Sequence, residues 1–290
     1  MRVIATACGR GGVGKTSWTL ALAEVAAAAG LRTFVVDLDP HATASRRLLG
    51  RHEREVDGPL AFEGRSTLDV LLRRQRGGAA HAAVASAAAW PEDLLLVPSP
   101  GATLAGFETT RVADQDRRLA RALAGLDQQG VDLVLIDTPP LQGLLTQNGL
   151  VAADEVVLVA HVVGSRQAVA GTHATIEQLA TDGGVRTAGL VLTDVGSPRS
   201  RSRAAREALE LWREEWDGRI LAELPSSSVW VTAEQEAKPL AAYLSEPGRS
   251  LPARTALDLV ATAAARLGLI PASPHPDTDT SAESAEPARS

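Results

Sequence analysis

Residues 9–17 read GRGGVGKTS, and this stretch decides the fold. It fits the spacing G-x-x-x-x-G-K-[ST], with Gly9, Gly14, Lys15 and Thr16 in the required places. An apolar run, VIATA (3–7), comes before it, and an apolar helical stretch, 15–29, follows. Glycines allow backbone conformations and close approaches that side chains forbid. The successive N–H groups of Gly11, Gly12, Val13, Gly14, Lys15, Thr16 and Ser17 are therefore expected to face phosphate oxygens at a helix N-terminus. Lys15 is expected to pair with the β- and γ-phosphates of a nucleotide, and the Thr16 hydroxyl to ligate Mg²⁺.

Outward from this loop the chain alternates strands and helices, the pattern of a mostly parallel twisted sheet with helices on both faces, an α/β P-loop fold. The candidate strands are 3–7, 33–38, 93–98, 132–137, 155–162, 188–194 and 219–224. Most are continuous apolar runs, as expected when both faces of a sheet are covered. The helical stretches are 15–29, 66–75, 114–126, 143–152, 165–181, 200–214 and 251–267. The Ala-rich region 76–91 is compatible with a helix or with a mobile connection.

Strand 33–38 runs into DLDP, which puts Asp37 and Asp39 at the carboxyl edge of the sheet, where ligands bind in open α/β folds. Strand 132–137 ends in Asp137 after an apolar run, the position of a carboxylate that holds Mg²⁺. One aspartate at a strand end is an ordinary cap. Three beside a phosphate loop point to a metal and to hydrolysis.

The chain has 290 residues, 45% of them hydrophobic, and a formal net charge of −6, which argues against a protein that coats nucleic acid over its whole surface. One main domain over 1–270 and a polar acidic tail over 271–290 is the expected organisation. The tail carries Asp277, Asp279, Glu283 and Glu286 against Arg289, and has no large apolar residue to bury, so it is expected to be disordered. The single cysteine, Cys8, forms no internal disulfide and suits a reducing, cytoplasmic compartment. Neither a signal peptide nor a membrane span is legible at MRVIATACGRGG.

The motifs together resemble the ParA/MinD group of deviant Walker A ATPases, and among them the Soj-like ParA partition ATPases. GRGGVGKTS looks like that group's first motif, VVDLDPHATAS like its second, and LVLIDTPPLQGLLTQNGLVAADEVVLVA like its Walker B block and the following segment. Weaker echoes are STLDVLL, LLLVPSPGATLAGFE and LAELPSSSVWVTAEQEAKPLAAY, so the likeness runs in order from residue 2 to about 245. It implies ATP and Mg²⁺ as ligands, an ATP-dependent homodimer, and hydrolysis stimulated by an adaptor or centromere-binding protein. By motif position it gives Asp39 to the attacking water, Asp37 and Asp137 with Thr16 to Mg²⁺, and the segment around Pro225, with Thr193 and Asp194, to adenine. The group's signature lysine is Arg10 here. Arginine keeps the charge but is bulkier and planar, so the exchange implies either a retained phosphate contact across the dimer or an altered dimer switch.

Three functions are compatible with the sequence. A ParA-like positioning ATPase binds nonspecific DNA, is nucleoid-associated and moves a plasmid, chromosome or protein complex. Its supporting feature is Arg199, Arg201, Arg203 and Arg206, a run of cations equally compatible with a solvated face. A MinD-like membrane-cycling ATPase is disfavoured by the acidic tail and by the paucity of basic residues, Arg254 and Arg266, in 251–267. The third is a metabolic enzyme on the same fold.

Overall fold

The computed structural model describes residues 1–51, 53–58, 62–73, 76–87, 89–111, 113–140, 142–180, 184–197, 199, 201–226, 230, 232–233, 236–244 and 251–272. The expected tail, apart from residues 271 and 272, lies outside the described residues.

Eight strands form one sheet in the order β3-β4-β2-β5-β1-β6-β7-β8. In chain order these are β1 (Arg2–Ala7), β2 (Thr33–Asp37), β3 (Val84–Ala85), β4 (Leu94–Val97), β5 (Leu133–Asp137), β6 (Glu155–His161), β7 (Arg186–Val195) and β8 (Ile220–Pro225). Every pairing is parallel except that of β3 with β4. The central strands β2 and β5 are buried at every position, which explains why their sequences show no alternation. The seven expected strands are all present within two residues of their expected ends.

The expected helices are also present: α1 (Lys15–Ala28), α4 (Thr67–Arg73), α6 (Arg118–Leu123), α7 (Leu144–Ala152), α8 (Arg166–Ala180), α9 (Arg203–Glu215) and a C-terminal helix, Leu251–Arg266. Among the described residues five further short helices lie outside the expected stretches: α2 (Thr43–Leu49), α3 (Glu53–Val56), the 3₁₀ helices Gly101–Thr109 and Asp127–Gln129, and Leu240–Leu244. The region 76–91 resolves into α5 (Gly78–Ala82) followed by the edge strand β3. None of the described helices is long and apolar enough to cross a membrane.

The register places the chemistry. Thr6 of β1 and Asp37 of β2 both lie opposite Asp137 of β5, so three central strands end at one level, and α1 rises from the loop after β1. Trp18 of α1 and Trp212 of α9 are fully buried on the helical layers, and the Trp212 indole N–H donates to the Val162 carbonyl at 2.8 Å, tying α9 to the loop after β6.

Candidate phosphate-binding and hydrolysis site

The loop between β1 and α1 adopts a conformation that needs its glycines. Gly12 has φ +71° and Gly14 φ +90°, and a Cβ on Gly14 would sit 3.4 Å from Thr193 Cγ2. Three anchors hold the loop. The Gly9 N–H donates to Thr172 Oγ1 at 3.0 Å, the Thr193 hydroxyl donates to the Val13 carbonyl at 2.8 Å, and Lys15 Nζ donates to the Arg10 carbonyl at 3.1 Å. No side chain caps the start of α1, so its first amides and the positive end of its dipole are presented to the loop. Lys15 is 6% exposed, and burial pulls its ammonium below the ordinary lysine value, against the opposing charges of Asp137 and Asp39.

Three carboxylates gather at the strand ends, with different surroundings. Asp37 is fully committed: Oδ2 accepts from the Ser45 N–H at 2.8 Å and the Ser45 hydroxyl at 2.7 Å, and Oδ1 accepts from the Asp39 N–H at 3.0 Å. Burial raises its carboxyl to about 6, with the Ser45 bonds opposing. Asp39 turns one oxygen inward, Oδ1 accepting from the His41 N–H at 2.9 Å, and its backbone carbonyl accepts from the Ser99 hydroxyl at 2.8 Å. Asp137 accepts the Thr16 hydroxyl at 2.7 Å through Oδ2, while its buried Oδ1 has no hydrogen-bond partner among the described residues. Burial, then the charge of Asp37, raises Asp137 to about 8. A buried, unsatisfied carboxylate oxygen beside a threonine hydroxyl fits a hard divalent cation. No group of three or more His, Cys, Asp or Glu side chains forms a cation cage among the described residues.

Beside the loop lies an open pocket of about 370 Å³, lined by Gly14, Trp18, Thr193, Asp194, Pro225 and Trp230 among others. It brings Pro225, Thr193 and Asp194 together with the phosphate loop. Trp230 and Ser226, whose hydroxyl donates to Asp194, join them in the pocket.

Arg10 is exposed, and its guanidinium donates to the Gly164 carbonyl of the same chain. The arginine run is less free than its sequence suggests. Arg199, Arg203 and Arg206 are exposed, but Arg203 pairs with Glu207 at 2.7 Å one helical turn on, and Arg201 Nε donates to the Gly196 carbonyl at 2.6 Å. Nothing in the sequence around Glu108 marks it as functional. Its two oxygens accept the Leu144 and Leu145 N–H groups at 2.6 and 3.1 Å, closing the N-terminus of α7 just after the Asp137 strand.

A family described as an AAA domain matches residues 1–182, more than half of the chain. The chain belongs to that family. Within it this is a P-loop ATPase of the ParA/MinD type. It is 32% identical over 162 residues to the sporulation initiation inhibitor protein Soj of Bacillus subtilis, covering 54% of this chain and 57% of that one. It is 36% identical over 180 residues to the chromosome-partitioning ATPase Soj of Thermus thermophilus, covering 62% and 63%. The chain thus spans between half and two thirds of the length of these curated relatives. Among solved structures, an ATP complex of McdA from Cyanothece superposes with a TM-score of 0.74 at 18% identity over 92% of this chain and 96% of that one, a likeness of fold. Cobyrinic acid a,c-diamide synthase from Mycobacterium smegmatis, solved with an ATP analogue and magnesium, superposes at 0.63 with 27% identity over 87% and 98%.

Proposed function

We propose that this chain is a ParA-like ATPase that binds ATP with Mg²⁺, dimerises in the ATP state, binds DNA without sequence preference, and releases it when a partner stimulates hydrolysis. The observation that carries the ATPase reading is Asp137, whose unsatisfied buried oxygen stands next to Thr16 at the start of α1.

The amides of the 11–17 segment cradle the phosphates, and Lys15 exchanges its carbonyl partners for β- and γ-phosphate oxygens, a stronger charge-assisted contact. Thr16 and Asp137 would hold Mg²⁺, while Asp37, its oxygens already taken by Ser45 and the Asp39 N–H, would act on it only through its charge. The metal when bound neutralises charge on the β- and γ-phosphates. Asp39 orients the attacking water and takes up its proton, since phosphoryl transfer needs mainly positioning and charge neutralisation. Arg10 leaves Gly164 to reach the phosphates of a second subunit, and the exposed arginines beside α9 meet the DNA backbone. The cargo is named by an adaptor or centromere-binding protein. The role as a positioning ATPase is supported by the Soj relatives.

The test is Asp39→Ala. The variant is expected to keep ATP while turnover falls by about a hundredfold or more, the loss usual for a residue that orients or deprotonates a nucleophile. Unchanged turnover would remove Asp39 from the mechanism.

A second reading, a metabolic enzyme on the same fold, is favoured by one observation. A cavity of about 490 Å³ beside Cys8 and Gly9 is lined by Gln115, Gln142, Gln147 and Gln178, and the synthase from Mycobacterium smegmatis shares the fold at 27% identity. ATP turnover that is unaffected by DNA and by any partner would favour it.

A further inference from the structure

Glu24 is 4% exposed in the middle of α1, on a turn otherwise buried through Leu20, Ala21, Ala23 and Ala27. An ionised carboxylate is rarely placed in such surroundings unless its oxygens are fully used, and burial pushes this one up from the ordinary glutamate value. Both oxygens are used. Oε2 accepts the Leu240 N–H at 2.8 Å, and Oε1 accepts the Ala241 N–H at 2.7 Å, the first amides of the short Leu240–Leu244 helix. Lys238, which lines the same small cavity, pairs with Glu236 at 3.0 Å.

The two segments joined in this way are 216 residues apart and meet at a small cavity that shares Ser17 and Trp230 with the pocket beside the phosphate loop. α1 supplies Lys15, Thr16, Ser17 and Trp18 at its start, and Ser17 and Trp18 line the pocket beside the phosphate loop. The end of β8 and the chain after it supply Pro225, Ser226 and Trp230 to the same pocket, and Leu240 is bonded to α1. Trp230 also borders the small cavity that contains Glu24. A side chain of α1 that does not line the pocket is thus bonded to the segment that follows Trp230.

We infer that Glu24 is a positioning residue for the base of the nucleotide: by holding residues 240 and 241 against α1 it keeps Trp230, which borders both the Glu24 cavity and the pocket, in place, and it contributes nothing to phosphate binding. The inference rests on the reading that this pocket receives the base. Two acceptor oxygens are needed for two amides. Glutamine offers one acceptor and a misplaced donor, and alanine offers none.

The experiment compares ADP with inorganic tripolyphosphate, each with Mg²⁺, by titration calorimetry on the full chain and on Glu24→Gln, Glu24→Ala and Trp230→Ala. Glu24→Ala is expected to weaken ADP by about tenfold and to leave tripolyphosphate within about twofold, with Glu24→Gln between it and wild type. Hydrogen exchange at the Leu240 and Ala241 amides is expected to accelerate in the same order. Trp230→Ala is expected to weaken ADP as well. If Trp230→Ala leaves ADP unchanged, the base does not lie in this pocket and the underlying reading fails. If Trp230→Ala weakens ADP but neither Glu24 variant does, the clamp is overturned. Equal loss of ADP and tripolyphosphate in the Glu24 variants also overturns it, since Glu24 would then support the fold in general. Should Glu24→Ala not fold, Glu24→Gln, which keeps one acceptor, carries the same comparison.

Discussion

The Thr16 hydroxyl donates to Asp137 Oδ2 at 2.7 Å, across the gap between the first turn of α1 and the end of β5, and leaves Asp137 Oδ1 buried without a partner among the described residues. Stability and ligand binding are coupled at this contact. A carboxyl raised to about 8 resists ionisation in the folded chain.

The sign of the pH dependence follows. The folded value lies above the unfolded one, so the favourable contribution is complete below about pH 4 and is lost as pH rises through about 8. In EDTA, the melting temperature of the wild type is expected to fall from pH 6 to pH 8 more than that of Asp137→Asn, and Asn is expected to be the more stable at pH 8. Adding Mg²⁺ and ATP is expected to raise the wild-type melting temperature more at pH 8 than at pH 6, since the cation needs the ionised form. Parallel pH profiles in wild type and Asp137→Asn would contradict the assignment.

Arg118 makes a prediction about the fold alone. It is 3% exposed, and its guanidinium donates to the carbonyls of Leu71 and Leu72, each at 3.2 Å, and to Ala113 at 3.0 Å, closing the end of α4. Arg118→Met preserves much of the volume and strands those carbonyls, so a loss of about 3 kcal/mol is expected from urea unfolding. A loss below about 1 kcal/mol would mean that water replaces the guanidinium there.

These two residues differ in how far the sequence announces them. Asp137 is legible because a wholly buried strand writes itself as an unbroken apolar run, and a charge at its end stands out. The same two-sided burial makes β2 and β6 legible. Arg118 reads as one of several arginines in 114–126, and only the arrival of α4 beside it gives it partners. α2 is missed because TASRRLL is too short for a helical period to show, and its start depends on Ala42 at φ 51°, a backbone state that alanine does not advertise. With α2 goes Ser45, the residue that fixes Asp37. The Arg203–Glu207 pair was within reach of i, i+4 spacing, whereas Glu24 and Leu240 meet only through the fold.

Arg10 bonds the Gly164 carbonyl of its own chain, so an intersubunit role requires it to let go. In the Asp39→Ala background, light scattering with ATP is expected to show a dimer that Arg10→Ala weakens by about ten- to a hundredfold and Arg10→Lys largely restores. Equal dimer populations with Arg and Ala would make Arg10 a solvated loop residue.

DNA affinity is expected to require ATP and to fall steeply with salt, because phosphate contacts release counterions. Arg199→Glu together with Arg206→Glu is expected to abolish it and leave ATP affinity unchanged, while Arg203→Glu alone does less, its charge being already paired with Glu207. Filter binding at two salt concentrations reads both effects. DNA affinity independent of salt would place the contact elsewhere.

The most direct test of the account is titration of ATP with Mg²⁺ into the wild type and into Lys15→Ala. Lys15 is held at the loop by the Arg10 carbonyl and is free to turn to phosphate, where its contacts are charge-assisted. Binding by the wild type and a loss of about a hundredfold in the variant are predicted. Equal affinity of the two proteins for ATP would contradict the claim that this loop binds the nucleotide.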